Sequence, residues 1–185
     1  MKEIREELKE EKAKNRFLLD IINAIPEPII AKDRYGKFTF SNKALADLYN
    51  TVPEKMIGKD DSNFTGNTEQ TKLFTESVQA IIKSKKSQII YENATDIKTG
   101  ITHSFRSLKT PFMNSKGEDN VVIIATNITE IIALKNQAEK NEKRLTGVLD
   151  VSCEGMWDWN TQTNDVFHNK RWEIITGVVD SQNSF

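Results

Sequence analysis

Two histidines, His103 and His168, and a single cysteine, Cys153, are the side chains of this sequence best suited to nucleophilic, acid–base or metal chemistry. None of them pairs with another at the spacing of a known motif. The eight glycines are scattered and form no GxGxxG or phosphate-binding loop. Carboxylates are plentiful, but they fall mainly in helical and turn segments, where charge runs usually mark a solvated face. The expectation is a non-enzymatic chain with no metal site, so its chemistry must be that of binding and relay.

The totals narrow the partners. In 185 residues there are 26 basic and 27 acidic side chains, a net charge of −1. Nucleic-acid binders and anionic-membrane binders need a basic excess, and neither partner is expected. One cysteine forbids an internal disulfide and fits a reducing compartment. No apolar run approaches the about 18–20 residues that span a bilayer, and the start, "MKEIREELKEEKAKN", lacks a signal-peptide core. The segment reads as cytoplasmic.

The elements follow from periodicity. Residues 2–25 read as a helix with a thin apolar stripe, Ile4 and Leu8, widening to Phe17, Leu18, Ile21, Ile22 and Ile25 before Pro26 and Pro28 stop it. "PIIAKDRYGKFTFSN" reads as a hairpin turning at Asp33–Gly36. Ser41 is expected to cap a helix over 42–50. Short turns and single-turn helices precede an amphipathic helix over 67–84, with Phe74, Val78, Ile81 and Ile82 on one face. Three strand-like runs then form a meander, residues 87–97, 101–113 and 118–128, with short turns at Lys98–Gly100 and Asn114–Gly117. Such a sheet needs one face covered, and the helices supply the cover. The last strand passes into a polar helix with no loop. Along it Ile131, Leu134, Ala138, Asn141, Leu145, Val148 and Ser152 recur at three and four residues, a weak heptad seam suited to pairing in a homodimer. The alternative is a solvated connector with chance spacing.

A shift of 127 residues aligns 26–50 with 153–177 without a gap. Glu27 meets Glu154, Phe40 meets Phe167, Asn42 meets Asn169 and Lys43 meets Lys170, and apolar positions match around them. The organisation expected is a helix (1–25), a domain (26–130), a linker helix (131–152) and the start of a second, truncated copy of the domain (153–185).

"GKFTFSNKAL" at 36–45, "LKTPFMNSKGE" at 108–118 and "NITE" at 127–130, in this order and spacing, resemble a PAS domain. "EGMWDWNTQTNDVFHNKRW" at 154–172 resembles the opening of another. The resemblance implies an α+β PAS fold: a five-stranded antiparallel sheet with helices on one face, flanked by coiled-coil-like helices. It implies a sensory or relay module of a multi-domain signalling protein, with a histidine kinase or diguanylate cyclase as output domain further along. Asn127 stands where the family usually has Asp; with Ile128, Thr129 and Glu130 it would couple sheet to output helix, Thr129 capping that helix.

PAS domains can carry haem or flavin. The long helix holds no His for haem; His103 lies on a strand with Phe105 and Ser107, which leaves a haem-type gas or redox sensor as a remote alternative. "GKDDSNFTG" has no Cys for a flavin adduct, so no cofactor is expected. A small-molecule pocket remains open beside ordinary core packing. Its apolar candidates are Leu45, Leu48, Met56, Phe64, Phe74, Val78, Tyr91, Phe105, Ile123 and Ala125. Its polar candidates are Asn93, Thr95, His103 and Ser107, with Arg106 facing outward. The competing reading is a filled core in a dimerising spacer that binds only protein, marked by an exposed apolar sheet face around Leu108.

Overall fold

The computed structural model describes residues 2–151 and 154–177; Ser152, Cys153 and the last eight residues of the second repeat lie outside them. The chain divides into two compact units, Met1–Thr129 and Glu130–Phe185.

The first unit begins with α1 (Lys2–Ala24), ended by the Pro26–Pro28 segment. β1 (Ile29–Asp33) and β2 (Phe38–Ser41) form the expected hairpin. Asp33 closes its turn, Oδ1 accepting from the Tyr35 and Lys37 amides. Gly36 has φ 80°, and a Cβ there would come within 3.0 Å of Thr75 Oγ1. The glycine is thus needed both for the turn and for the approach to the long helix.

α2 (Lys43–Leu48) is capped by Asn42, not Ser41. The Asn42 Oδ1 accepts from Leu45 N and from Ile29 N, while Nδ2 donates to Glu27 O. A hydroxyl could cap the helix, but only the carboxamide reaches the hairpin strand as well. Ser41 Oγ turns inward, donating to Asn42 O and Met56 Sδ. Two 3-10 turns, Pro53–Lys55 and Asp61–Asn63, precede α3 (Thr68–Ser84), capped by Asn67.

β3 (Gln88–Thr95), β4 (Thr102–Met113) and β5 (Asp119–Asn127) complete an antiparallel sheet in the order β2-β1-β5-β4-β3. α2, α3 and the 3-10 turns bury its inner face, around Phe38, Leu45, Met56, Val78, Ile81 and Val121. A second cluster, Phe74, Ala94, Phe105 and Ala125, lies toward the β3 side. The outer face carries an apolar row: Ile89, Leu108 and Ile124 stand opposite one another across β3, β4 and β5, all more than a third exposed.

The helix after β5, α4 (Thr129–Val151), leads into the second unit. The seam positions Ile131, Leu134, Leu145 and Val148 are each more than 60 % exposed, and Ala138 is exposed too. β6 (Trp157–Trp159) and β7 (Val166–His168) form a hairpin, followed by α5 (Lys170–Thr176). Its internal geometry repeats the opening of the first unit. Asn169 Oδ1 accepts from Trp172 N and Met156 N, and Nδ2 donates to Glu154 O. Each partner sits 127 positions after its counterpart around Asn42.

Candidate functional site

Between the sheet and the α2–α3 layer lies a cavity of about 40 Å³. At roughly 10–15 Å³ per water, it holds about three or four. Its walls are apolar on one side, through Leu45, Leu48, Phe74, Phe105, Ile123 and Ala125. The other side is charged, and sequence reasoning missed it. Strand alternation puts Lys32 on the inner face beside Ile30, and Lys109 beside Phe105 and Ser107. Both lysines are at most 3 % exposed.

A buried ammonium needs an anion and hydrogen-bond acceptors. Lys32 Nζ donates to both oxygens of Asp61, at 2.6 and 2.5 Å. It also sits 4.6 Å from the centre of the Phe38 ring, in cation–π range. Lys109 Nζ donates to Glu92 Oε2 and to Ser77 Oγ, each at 2.7 Å. The Phe74 ring has Lys32 on it at 5.7 Å and Lys109 at 5.9 Å. Burial pushes the Lys109 pKa down, against the attraction of Glu92. Tyr49, also in the wall, is pushed up to about 12 by burial and stays a neutral phenol. Of the wall residues, Ser107 has a fully buried Oγ with no hydrogen-bond partner among the described residues; Thr65 Oγ1 and His168 Nδ1, which do not line the cavity, also lack one.

Seven of the expected pocket residues line this cavity: Leu45, Leu48, Phe74, Phe105, Ser107, Ile123 and Ala125. Met56, Phe64 and Val78 are buried in the core but do not reach it. Tyr91 and Asn93, expected in the pocket, lie on the outer face of β3. Tyr91 is 70 % exposed and Asn93 is exposed, its Oδ1 accepting from Ser104 Oγ on the outer face. Thr95 binds the Gln70 side chain, tying β3 to α3. Glu92 and Ala94 take the inner positions instead. His103 has the expected parity but sits beyond the cavity, its Nδ1 3.4 Å from Asn127 Nδ2. It therefore offers no axial ligand from the wall, and haem does not fit here.

The strand-to-helix junction is a hydrogen-bond knot. Asn127 Oδ1 accepts from Thr129 N and Thr129 Oγ1, at 3.0 and 2.7 Å. Thr129 Oγ1 in turn accepts from Ser104 N, and Ile128 N donates to Ser104 O, each at 2.8 Å. Thr129 is not the cap expected of it: its hydroxyl is committed to β4, and the Asn127 carboxamide holds the first helical amide. The cavity reaches the junction along one cross-strand row, since Glu92 faces Phe105 and Phe105 faces Asn127.

A mixed cavity under a five-stranded antiparallel sheet, with the last strand tied directly to a helix, defines a sensory α+β domain. The chain belongs to the PAS fold family, which it matches over residues 22–132. It is a PAS sensory domain of the kind found in signalling proteins. Solved structures agree on the fold. VqmA of Vibrio cholerae is 19 % identical with a TM-score of 0.55, over 62 % of this chain and 51 % of that one. The PAS domain of an HTR-like protein from Haloarcula marismortui is 17 % identical at 0.55, over 67 % and 98 %. The PAS domain of Bordetella pertussis BvgS is 19 % identical at 0.52, over 71 % and 98 %. The chain thus spans about half of VqmA. No curated protein matches the sequence. Among the described residues no helix is long and apolar enough to cross a membrane, and no group of three metal-ligating side chains occurs.

Proposed function

We propose that this domain is the small-molecule receptor of a cytoplasmic signalling protein and has no catalytic activity of its own. The observation that carries the reading is Ser107: a fully buried hydroxyl without a partner, facing a cavity. A cavity water or a polar ligand group can supply its missing partner. A structural neighbour of this fold, VqmA, has been solved bound to DPO, which is consistent with ligand binding here. α1 and α4 pair in a homodimer through their exposed apolar stripes. The Asn127–Glu130 segment passes a change in the sheet to α4, and residues 154–177 open a second PAS domain that relays to a histidine kinase or diguanylate cyclase.

A thermal-shift screen of metabolites tests the receptor. Ala94→Leu fills the cavity and serves as counter-screen. A compound raising the melting temperature by about 4 °C or more in the wild type alone supports the reading. A complete library giving no shift, or equal shifts in both proteins, overturns it. The second reading, a spacer binding only protein, draws on the outer row Ile89–Leu108–Ile124 and exposed Tyr91.

A further inference from the structure

Resting on the receptor reading, we propose that the cavity takes a short-chain monocarboxylate, which replaces Glu92 as the counter-ion of Lys109.

The two buried ion pairs differ in how firmly they are made. Asp61 grips Lys32 through both oxygens and its side chain is 10 % exposed. Glu92 holds Lys109 through one oxygen, is 17 % exposed, and stands on the edge strand β3. Glu92 is therefore the carboxylate better placed to turn out into water. Lys109, at 1 % exposure, cannot follow. Once Glu92 leaves, an ammonium at the cavity wall requires another anion.

The Ser107 hydroxyl, two residues earlier on β4, is on the same face and lines the same cavity. A carboxylate has two oxygens to place, one on Lys109 Nζ and one on Ser107 Oγ. This ends the isolation of the only wall hydroxyl named above as unmatched. Beyond it, Phe74, Phe105, Ala94 and Ala125 suit a short alkyl chain. The exchange preserves charge: two ammoniums and two carboxylates before, and the same after. A cation would face both lysines. A neutral ligand has no means of displacing Glu92 and is confined to about 40 Å³. The released Glu92 lies opposite Phe105, which lies opposite Asn127, so the exchange acts on the row that ends at the junction.

Sodium butyrate and butyramide, equal in size and different in charge, are the probes. Calorimetry and thermal shifts at constant ionic strength are run on the whole chain, Glu92→Gln and Lys109→Met. Butyrate should bind the wild type at least tenfold more tightly than butyramide. Glu92→Gln removes the built-in competitor, so butyrate should bind it at least tenfold more tightly again and restore its melting temperature. Lys109→Met, close in shape, should lose at least tenfold and keeps the test independent of whether Glu92→Gln folds. Butyramide binding as well as butyrate, or no loss in Lys109→Met, overturns the exchange. If another metabolite still stabilises the wild type but not Ala94→Leu, the receptor reading survives that failure. If none does, both fall.

Discussion

Single residues carry most of the specificity in this domain. Asn42 has no exposed surface and joins three elements, the Ile29 amide, the Leu45 amide and the Glu27 carbonyl. Replacing it with Ala removes a helix cap and leaves buried groups unmatched, so Asn42→Ala should lower unfolding free energy by roughly 2–3 kcal/mol in urea titration. Lys32 shows the same dependence on charge. Lys32→Met strands Asp61, and the expected loss is about 3–5 kcal/mol; Lys32→Met with Asp61→Leu should recover most of it. Three aspartates contribute to acid sensitivity. Hydrogen bonds from Ser62 to Asp60, from the Lys98 amide to Asp96 and from Lys85 to Asp119 lower each pKa below its usual 3.8. Carboxylates depressed by folding contribute stability above that value and lose it as pH falls through their folded values. Stability should therefore drop below about pH 3.8, and Asp96→Asn should flatten the drop between pH 5 and 2.

At the scale of elements, β3 shows where the sequence was readable and where it misled. Strand identity and hairpin turns are plain, because Gly36, Gly100 and Gly117 punctuate alternating runs. Faces are harder. In "QIIYENAT" the residues Ile89 and Tyr91 look like the core side, yet the outer face of this sheet is itself apolar and the inner face accepts Glu92. The signal for the charged wall was present on β4: the parity that placed Phe105 and Ser107 inside also places Lys109 there. A buried lysine then demands a carboxylate, and Glu92 is within reach across the β3–β4 pairing. Folding brings Asp61 to Lys32 from a turn 29 residues away, and nothing local announces that pairing. The junction was legible as a position but not as a geometry, since Thr129 serves the sheet rather than the helix. Thr129→Val removes the acceptor of the Ser104 amide. Hydrogen exchange at that amide should speed up about tenfold while β1 and β2 amides keep their rates.

For the whole molecule, repeated geometry and exposed helical stripes say more than composition. Three hydrogen bonds of Asn42 recur around Asn169 at a constant offset, which weak sequence identity only suggested. The proposed pairing of α4 rests on the exposure of Leu134 and its neighbours in the single chain. Leu134→Glu should shift sedimentation at tens of micromolar from dimer to monomer, and an unchanged dimer would move the interface elsewhere.

Native mass spectrometry of the whole chain, freshly purified from cells, tests the receptor account most directly, because it reads stoichiometry and retained ligand together. The account predicts a dimer whose subunits carry a small extra mass, absent from the Ala94→Leu protein. A bare wild-type chain, or an extra mass that Ala94→Leu retains, would contradict it.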